Sequence, residues 1–257
     1  MMPNRSHDLI ETITSSQNAK FKIWTSLLET KGIKKNNLAL LSGQKLIQEY
    51  LQSKRPIESE LIPVQGSSCL PGHSKKTFAL KSDLFKELDV NGTNFPLLVI
   101  PLPEFEESTF NGPLGIEVIA PLQDPRNLGA LIRSCAAFGI KKIHLPKVAC
   151  HPYHPKCLKV AAGGFLHVAF SRCDNLDESF LSNSGISKDH LYFLDSSGTS
   201  LRKFQNKKNL YLAVGEEGQG IPKNLRHSAQ TISIPIQNVE SLNATVALSI
   251  ALYALTN

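Results

Sequence analysis

The chain has 257 residues, which is long enough for one large domain or two modest ones that fold without disulfides. Hydrophobic residues make up 41% and charged residues 19%, a balance that excludes disordered and fibrous proteins. The net charge of +6 is compatible with a polyanionic partner. Residues 1–55 and 113–257 are basic, whereas residues 56–112 are acidic.

Cysteine usage favours a reducing compartment. The five cysteines are odd in number and form no C-x-x-C pair, so a secreted disulfide framework is not expected. The first residues have no apolar core of signal-peptide length, and no run of about 18 uncharged apolar residues occurs. We therefore expect a cytoplasmic protein that neither enters nor crosses a membrane.

The first hundred residues predict a small α/β domain. Apolar residues recur at helical spacing over 21–28 and again over Gln44–Gln52. Short apolar runs bounded by Gly, Pro or Ser predict strands at 60–64, 77–80 and 96–101. These elements place a first domain at residues 1–104.

A connector is predicted to follow. Residues 101–113 contain three prolines and an acidic run with little periodicity, which is typical of a linker. We predict a linker at 105–113 and a second domain at 114–257.

In the second domain, short apolar strands alternate with helices, which is the pattern of an α/β fold with a parallel sheet. Strands are predicted at 115–121, 142–146, 167–171, 191–195, 210–214 and 232–236, and helices at 128–138, 155–162, 176–182 and 242–255. Ligands of such sheets bind at the carboxyl ends of the strands, so functional residues are expected in the loops that follow them.

The first of three polar loops leads from a strand into the helix at 128–138. Asn127 is a candidate N-cap of that helix. Arg133 is the only charged residue from Asn127 through Ile140. A guanidinium on so apolar a helix either reaches water or meets a partner.

The second loop follows the strand at 210–214 and contains Gly215, Gly218 and Gly220, with two carboxylates between them. Glycines allow positive φ and close approach of a ligand to the backbone. The pattern is neither a dinucleotide fingerprint nor a P-loop. Glu216 and Glu217 also argue against phosphate as its ligand.

The third loop joins the strand at 232–236 to the last helix, where Ser241 and Asn243 are candidate caps. From Val246 to Leu255 the helix carries no charge. Such a helix is expected to be buried on every side, which at this position indicates a subunit interface as well as core.

These three loops, in this order, resemble the three motifs of the SpoU (TrmH-like) branch of the SPOUT RNA methyltransferases. Asp124-Pro-x-Asn127-x-Gly129-x-x-x-Arg133 resembles the first motif, Gly215-x-Glu217-Gly218-x-Gly220 the second, and Ile234-Pro235 through Glu240-Ser241-Leu242-Asn243 the third. Asn238 stands near a position usually held by glycine, and Asn tolerates left-handed backbone angles better than most residues.

The resemblance implies an S-adenosylmethionine-dependent enzyme that methylates a ribose 2′-hydroxyl of RNA without a metal. It implies a C-terminal SPOUT domain with a parallel sheet and a deep trefoil knot, and a homodimer with the active site near the subunit interface. Gly215, Ile234 and Leu242 would contact the cofactor. Arg133 would be essential, binding the RNA phosphate and ribose.

The same resemblance gives four further residues a role in catalysis. Asn127 would orient Arg133 or the ribose, and Glu217 would hold the active-site loops. Ser241 and Asn243 would shape the cofactor and ribose pockets.

The first hundred residues resemble, less specifically, the ribosomal-protein-L30e-like RNA-binding domain of several rRNA 2′-O-methyltransferases. The likeness rests on residues 13–20 and 41–49. It favours rRNA as the substrate. The alternatives are a tRNA 2′-O-methyltransferase and a catalytically silent RNA-binding protein on the same scaffold.

Two other interpretations are weaker. Cys150, His151, His154 and Cys157 fall within eight residues, but their spacing is not that of a usual zinc site, and two prolines stiffen the segment. A nucleotide-dependent dehydrogenase would need an early glycine fingerprint, which the sequence lacks.

Overall fold

The structure is a computed structural model that describes residues 10–65, 69–70, 76–177, 179–204, 208–216 and 220–256, except for the side chains of residues 223 and 224. It divides into two compact units. The first extends to Pro103 and includes Tyr153–Lys159, and the second comprises Glu104–Pro152 and the chain from Val160. The predicted limits of the domains remain predictions. No helix within the described ranges combines the length and the apolar character that crossing a membrane requires.

The first unit is a five-stranded mixed sheet with short helices. Its elements are β1 (Glu11–Ile13), α1 (Ala19–Ser26), α2 (Thr30–Asn36), β2 (Leu38–Leu41), α3 (Gln44–Gln52), β3 (Ser59–Pro63), β4 (Thr77–Leu80), α4 (Ser82–Leu88) and β5 (Leu97–Pro101). The strand order is β1-β4-β3-β5-β2, in which β5 is antiparallel to both of its neighbours. Trp24 packs on Phe78 in the core, with ring centroids 5.1 Å apart.

The second unit is built on a seven-stranded sheet. Its elements are β6 (Glu106–Glu107), β7 (Ile116–Ile119), α5 (Pro125–Ala137), β8 (Lys142–Pro146), β9 (Ala169–Cys173), α7 (Phe180–Ser184), β10 (Leu191–Ser200), β11 (Leu210–Ala213), α8 (Lys223–Ser228), β12 (Gln230–Ser233) and α9 (Ala244–Thr256), and α6 (Pro155–Ala161) lies largely in the segment grouped with the first unit. The order is β12-β10-β11-β7-β8-β9-β6, and every pair is parallel. The predicted parallel sheet is confirmed, and the knot remains a prediction.

One of the expectations for the helices is wrong. Helix α5 begins at Pro125, and its N-cap is Asp124, whose side chain accepts from the backbone N–H of Arg126. Asn127 therefore lies in the first turn and is not the cap. Helix α9 buries one face in the chain through Leu248 and Leu252 and exposes the opposite face. The expected burial of that opposite face in a subunit interface remains a prediction.

The segment with linker composition is an ordered edge of the second sheet. Strand β6 pairs in parallel with β9. Before it, Phe105 stacks on His151 at 5.6 Å and lies under the guanidinium of Arg172, 5.2 Å from the ring centroid. After it, Phe110 is 6% exposed and packs edge-on against Tyr211. Three aromatic and cationic contacts thus hold a segment that its prolines and acidic residues mark as a connector.

A buried polar network also anchors residues 105–113, through Ser108. His144 on β8 is fully buried, and its Nε2 lies 2.7 Å from Oε2 of Glu117. Its Nδ1 lies 2.8 Å from Oγ of Ser108 and 3.0 Å from Oγ of Ser171. Burial lowers the pKa of His144, and the hydrogen bond to Glu117 opposes this only in part. The ring is therefore neutral near pH 7, with Nε2–H donating to the carboxylate and Nδ1 accepting from a serine hydroxyl.

We expect Phe110→Ala to lower the free energy of unfolding of the second unit by about 3 kcal/mol, because it leaves a cavity among buried rings. Leu114→Ala is the control, since Leu114 is 89% exposed and its truncation should change stability by less than about 0.5 kcal/mol. Urea unfolding followed by circular dichroism measures both variants. Fluorescence of Trp24, the single tryptophan, follows the first unit separately. Equal losses in the two variants would show that the segment is not anchored as described.

Candidate active site

A cavity of about 400 Å³ opens at the carboxyl ends of β11 and β12 and beside residues 194–196 in the middle of β10. This volume is within the range of small-molecule sites. Most of its lining is apolar, and the polar groups are few. The lining comprises Leu194, Asp195, Ser196, Val214, Gly215, Glu216, Gly220, Ile221, Arg226, Ile232, Ile234, Ile236, Ser241, Leu242, Ala244 and Ala247. The cavity lies where ligands bind in parallel α/β sheets.

Four of the eight predicted site residues line this cavity. They are Gly215, Ile234, Ser241 and Leu242. A Cβ on Gly215 would come within 2.5 Å of the carbonyl carbon of Gly220, so the loop closes on itself only because glycine stands there. The second and third polar loops therefore share one pocket.

The first and third polar loops meet between α5 and α9. The hydroxyl of Thr245 donates to the carbonyl oxygen of Asn127 at 3.0 Å, and Nδ2 of Asn243 lies 3.5 Å from Oδ1 of Asn127. One turn further along α9, Ser249 donates to the hydroxyl of Ser134 at 2.7 Å. Asn127 and Asn243 are thus adjacent, beside the cavity rather than in its lining.

Asn243 is also the cap of α9. Its Oδ1 accepts from the backbone N–H of Thr245 at 2.9 Å and of Val246 at 3.3 Å. Of the two cap candidates in the sequence, Asn243 makes these bonds, while Ser241 lines the cavity. In the same loop, Asn238 has a φ of +64°, so the left-handed conformation expected at this residue is confirmed.

Arg133 stands apart from the cavity. It is exposed on α5, six residues beyond Asn127, which at 3.6 residues per turn puts it roughly 9 Å along the helix and on another face. Within the described ranges no hydrogen bond or ion pair of its guanidinium is found. A Cβ on Gly164 would lie 3.1 Å from the Cα of Arg133, so this glycine lets the chain pass close to the helix.

Asp124 fixes the start of the same helix. Hydrogen bonds from Arg126 lower the pKa of Asp124 to about 2, so it is a carboxylate at any physiological pH. A carboxylate at this end complements the helix dipole. Glu217, together with Gly218, lies outside the described residues.

Sequence reasoning missed two charged residues of the cavity. Asp195 lies on β10 and Arg226 on α8, and their side chains form an ion pair of 3.1 Å. The signal was present for Asp195, because an acidic residue at the carboxyl end of a predicted parallel strand lies where ligands bind. Arg226 belongs to no motif in the sequence, so its position in the cavity lining is visible only in the folded chain.

In the described part of the chain, no group of three or more His, Cys, Asp or Glu side chains is arranged to hold a metal ion. The absence of a metal from the reaction remains a prediction.

A comparison with protein-family models identifies the family to which the second unit is similar. The model of the SpoU rRNA methylase family matches residues 116–253. The chain belongs to this family. The match includes both the strands that form the cavity and the helices α5 and most of α9.

Individual relatives extend the similarity to the whole chain. A protein of Syntrophobacter fumaroxidans named ribosomal RNA small subunit methyltransferase G 2 is 35% identical over 256 residues, which are 94% of this chain and 48% of the relative. The chain thus spans about half of that protein. The 23S rRNA (guanosine(2553)-2′-O)-methyltransferase RlmP of Bacillus subtilis is 26% identical over 96% of this chain and 99% of its own length.

Solved structures show the same fold. The SpoU methyltransferase AviRb of Streptomyces viridochromogenes, solved in complex with AdoMet, superposes with a TM-score of 0.81 over 93% of this chain and 97% of that one, at 21% identity. The similarity in fold to that structure therefore extends over most of both units.

Two substitutions should separate the capping role of Asn243 from its contact with Asn127. Asn243→Ala removes the cap of α9 and should lower the free energy of unfolding by about 1 kcal/mol. Asn243→Asp keeps an acceptor at the helix start, where negative charge is favourable, and should retain most of the stability. It loses the Nδ2 donor to Asn127.

Chemical denaturation measures the stability of both variants, and Gln237→Ala, at an exposed neighbouring position, is the control. If Asn243→Asp is as unstable as Asn243→Ala, the contact with Asn127 rather than the cap stabilises this junction.

Proposed function

We propose that this protein transfers the methyl group of S-adenosylmethionine to a ribose 2′-hydroxyl of ribosomal RNA. The observation that carries the proposal is the single cavity that unites Gly215, Ile234, Ser241 and Leu242, three of which the motif resemblance assigns to the cofactor. RlmP, aligned over nearly its full length, is named as a 23S rRNA 2′-O-methyltransferase. A tRNA substrate is the second candidate, and no feature of the described residues favours it.

The cavity fits the cofactor in size and in chemistry. Its volume of about 400 Å³ suits a nucleoside with a short side chain. Ile232, Ile234 and Ala247 offer apolar surface to a purine, and the loop closed by Gly215 and Gly220 offers backbone groups. When bound, S-adenosylmethionine supplies an electrophilic methyl group on a sulfonium.

The reaction forms one bond and breaks one. The ribose oxygen bonds to the methyl carbon, the carbon–sulfur bond breaks with its electron pair going to sulfur, and the hydroxyl proton leaves to the solvent or a base. Alignment of oxygen, carbon and sulfur is the main requirement, and positioning supplies much of the rate.

Arg133 meets this requirement by binding the RNA. Its guanidinium is exposed and has no ionic partner among the described residues, so it is available to a phosphate. A guanidinium stays protonated in proteins and has no acceptor site, so it is a poor base at pH 7. In the proposed mechanism Arg133 therefore holds the phosphate and stabilises the developing negative charge on the ribose oxygen.

The remaining site residues position the ribose and the cofactor. Asn127 orients the ribose, while Asn243 and Ser241, the latter in the lining of the cavity, shape the ribose and cofactor pockets. Glu217 keeps its proposed role in holding the loops, although it lies outside the described residues. The first unit would bind RNA as an L30e-like domain, through phosphates and with strong salt dependence. An rRNA substrate places the protein in the cytoplasm.

Arg133→Ala should abolish methyl transfer, reducing it at least 100-fold, while the affinity for S-adenosylmethionine stays within about twofold, because Arg133 does not line the cavity. Transfer of labelled methyl groups to rRNA from a strain lacking the protein measures the first quantity. Calorimetry measures the second.

Arg126→Ala is the matched control. Arg126 is an exposed arginine on the same helix, paired with Asp124, and its loss should leave turnover close to that of the unmodified protein. Normal turnover in Arg133→Ala would contradict the assignment. RNA binding without any methyl transfer by the unmodified protein would favour the silent RNA-binding alternative.

We propose further that two copies associate through α9. Val246, Ile250 and Tyr253 are exposed and lie at i, i+4 and i+7, so they form one apolar stripe. The ring of Phe138 on the C-cap of α5 lies 6.2 Å from that of Tyr253. An exposed stripe of this kind is typical of a protein–protein contact. The family resemblance implies a homodimer with the active site near the subunit interface, which agrees with an apolar stripe on α9.

Ile250→Glu should convert a dimer into a monomer, because it buries a carboxylate in an apolar contact. Sedimentation velocity measures the change in mass. Ile23→Glu, at a similarly exposed position on α1, is the control and should leave the mass unchanged. A monomeric unmodified protein would contradict the proposed dimer.

A further inference from the structure

Strand β10 bulges where it reaches the cavity. Leu194 and Thr199 both lie opposite Ile232 of β12, so the four residues between them leave the ladder. A Cβ on Gly198 would come within 2.5 Å of the carbonyl carbon of Thr231, which requires glycine at this position. Ser233 donates to the carbonyl oxygen of Gly198 at 2.8 Å. Bulges beside a site often redirect a side chain, and this one brings Asp195 and Ser196 to the cavity.

The carboxylate of Asp195 is held in one orientation. Its Oδ1 accepts from the backbone N–H of Ser197 at 2.9 Å and from the hydroxyl of Ser197 at 2.6 Å. Its Oδ2 lies 3.1 Å from a terminal nitrogen of Arg226. Burial acts to raise the pKa of Asp195, but the hydrogen bonds from Ser197 and the charge of Arg226 outweigh it and lower the pKa. The group is therefore an anion near pH 7.

This arrangement is more than a surface ion pair. The side chain of Asp195 is 8% exposed, whereas that of Arg226 is 44% exposed. Each carboxylate oxygen has two lone pairs, and the described contacts leave acceptor capacity on Oδ2. Around it, Leu194, Ile232 and Ile234 are apolar. A fixed acceptor in such surroundings binds donors on a ligand strongly, because few water molecules compete.

We propose that Asp195, fixed by Ser197 and Arg226, is an anionic hydrogen-bond acceptor of the cofactor cavity. It binds hydroxyl or ammonium groups that S-adenosylmethionine and S-adenosylhomocysteine share, and it does not act as a counter-ion to the sulfonium. This inference rests on the proposed function, because it takes the cavity as the cofactor site. Arg226 is a positioning residue that acts through Asp195.

Calorimetric affinities of the full chain for the two ligands test this. Asp195→Asn keeps the shape and the contact with Ser197 but removes the charge, and it should weaken both ligands by the same factor, about 10-fold or more. In the methyl-transfer assay KM for S-adenosylmethionine should rise while kcat changes little. Asp189→Asn, an exposed aspartate just before the other end of β10, is the control.

Arg226→Gln should weaken both ligands, and it should add little in the Asp195→Asn background, because the two residues act as one unit. S-adenosylhomocysteine without its amino group separates the two donors. If Asp195→Asn weakens it as much as the parent ligand, the partner is a hydroxyl, and if not, the partner is the ammonium. Both results are within the proposal.

Three outcomes would overturn the inference. They are an unchanged affinity in Asp195→Asn, a loss confined to S-adenosylmethionine, and a loss of thermal stability without loss of affinity. If the unmodified protein binds neither ligand, the proposed function fails first, which is a distinguishable result.

Discussion

The hydrogen bond from the hydroxyl of Thr245 to the carbonyl oxygen of Asn127 ties α9 to the first turn of α5. Both helices begin where a strand of the parallel sheet has ended, so the bond sets the distance between two loops that are more than a hundred residues apart in sequence. Asn243 then caps α9 and faces Asn127, and Ser249 meets Ser134 one turn on. Thr245 is buried, so moving the two helices apart would leave its hydroxyl without the carbonyl oxygen of Asn127. The free energy cost of that unsatisfied hydroxyl keeps the junction stiff.

A second constraint is the close approach of backbone to backbone around the cavity. Gly215 faces Gly220, and Gly198 faces Thr231, each at a separation that no Cβ allows. The first contact closes the loop after β11, and the second produces the bulge of β10. Main chain therefore comes close to the cavity in the loop after β11 and at the bulge of β10. This suits a site that recognises its ligand through backbone groups and a small number of fixed side chains.

The sequence predicts the elements that depend on local signals. Helix α3 was predicted with the bounds that the structure shows, since its apolar and polar residues alternate with a clear helical period. The parallel sheet and the left-handed Asn238 were also predicted, and both are confirmed. The start of α5 was placed three residues late, because Asp124 and Asn127 are both good capping types and local pattern does not choose between them.

What the sequence could not predict depends on long-range packing. The segment around Phe110 has the composition of a linker, and only the fold shows that the rings of Phe110 and Tyr211 meet. The pairing of Asp195 with Arg226 has the same origin, since the bulge that places Asp195 is a property of the ladder with β12. A sequence motif identifies the residues of one loop, but it does not identify a residue such as Asp195 that another strand contributes to the same cavity.

The separation between Arg133 and the cavity has a consequence for the proposed reaction. The cavity lies at the carboxyl ends of β11 and β12 and at the bulge of β10, whereas the guanidinium of Arg133 stands on an exposed face of α5. Asn127 and Asn243 are predicted site residues at the junction of these two helices, and their side chains lie 3.5 Å apart. In the proposed mechanism the ribose must therefore bind over Asn127 and Asn243. Its phosphate then points toward Arg133 and its 2′-hydroxyl toward the cavity that Ser241 lines. The stiffness of the α5–α9 junction then determines how accurately the ribose oxygen is aimed at the methyl group, and an alignment error of even 1 Å at this step costs a large part of the rate.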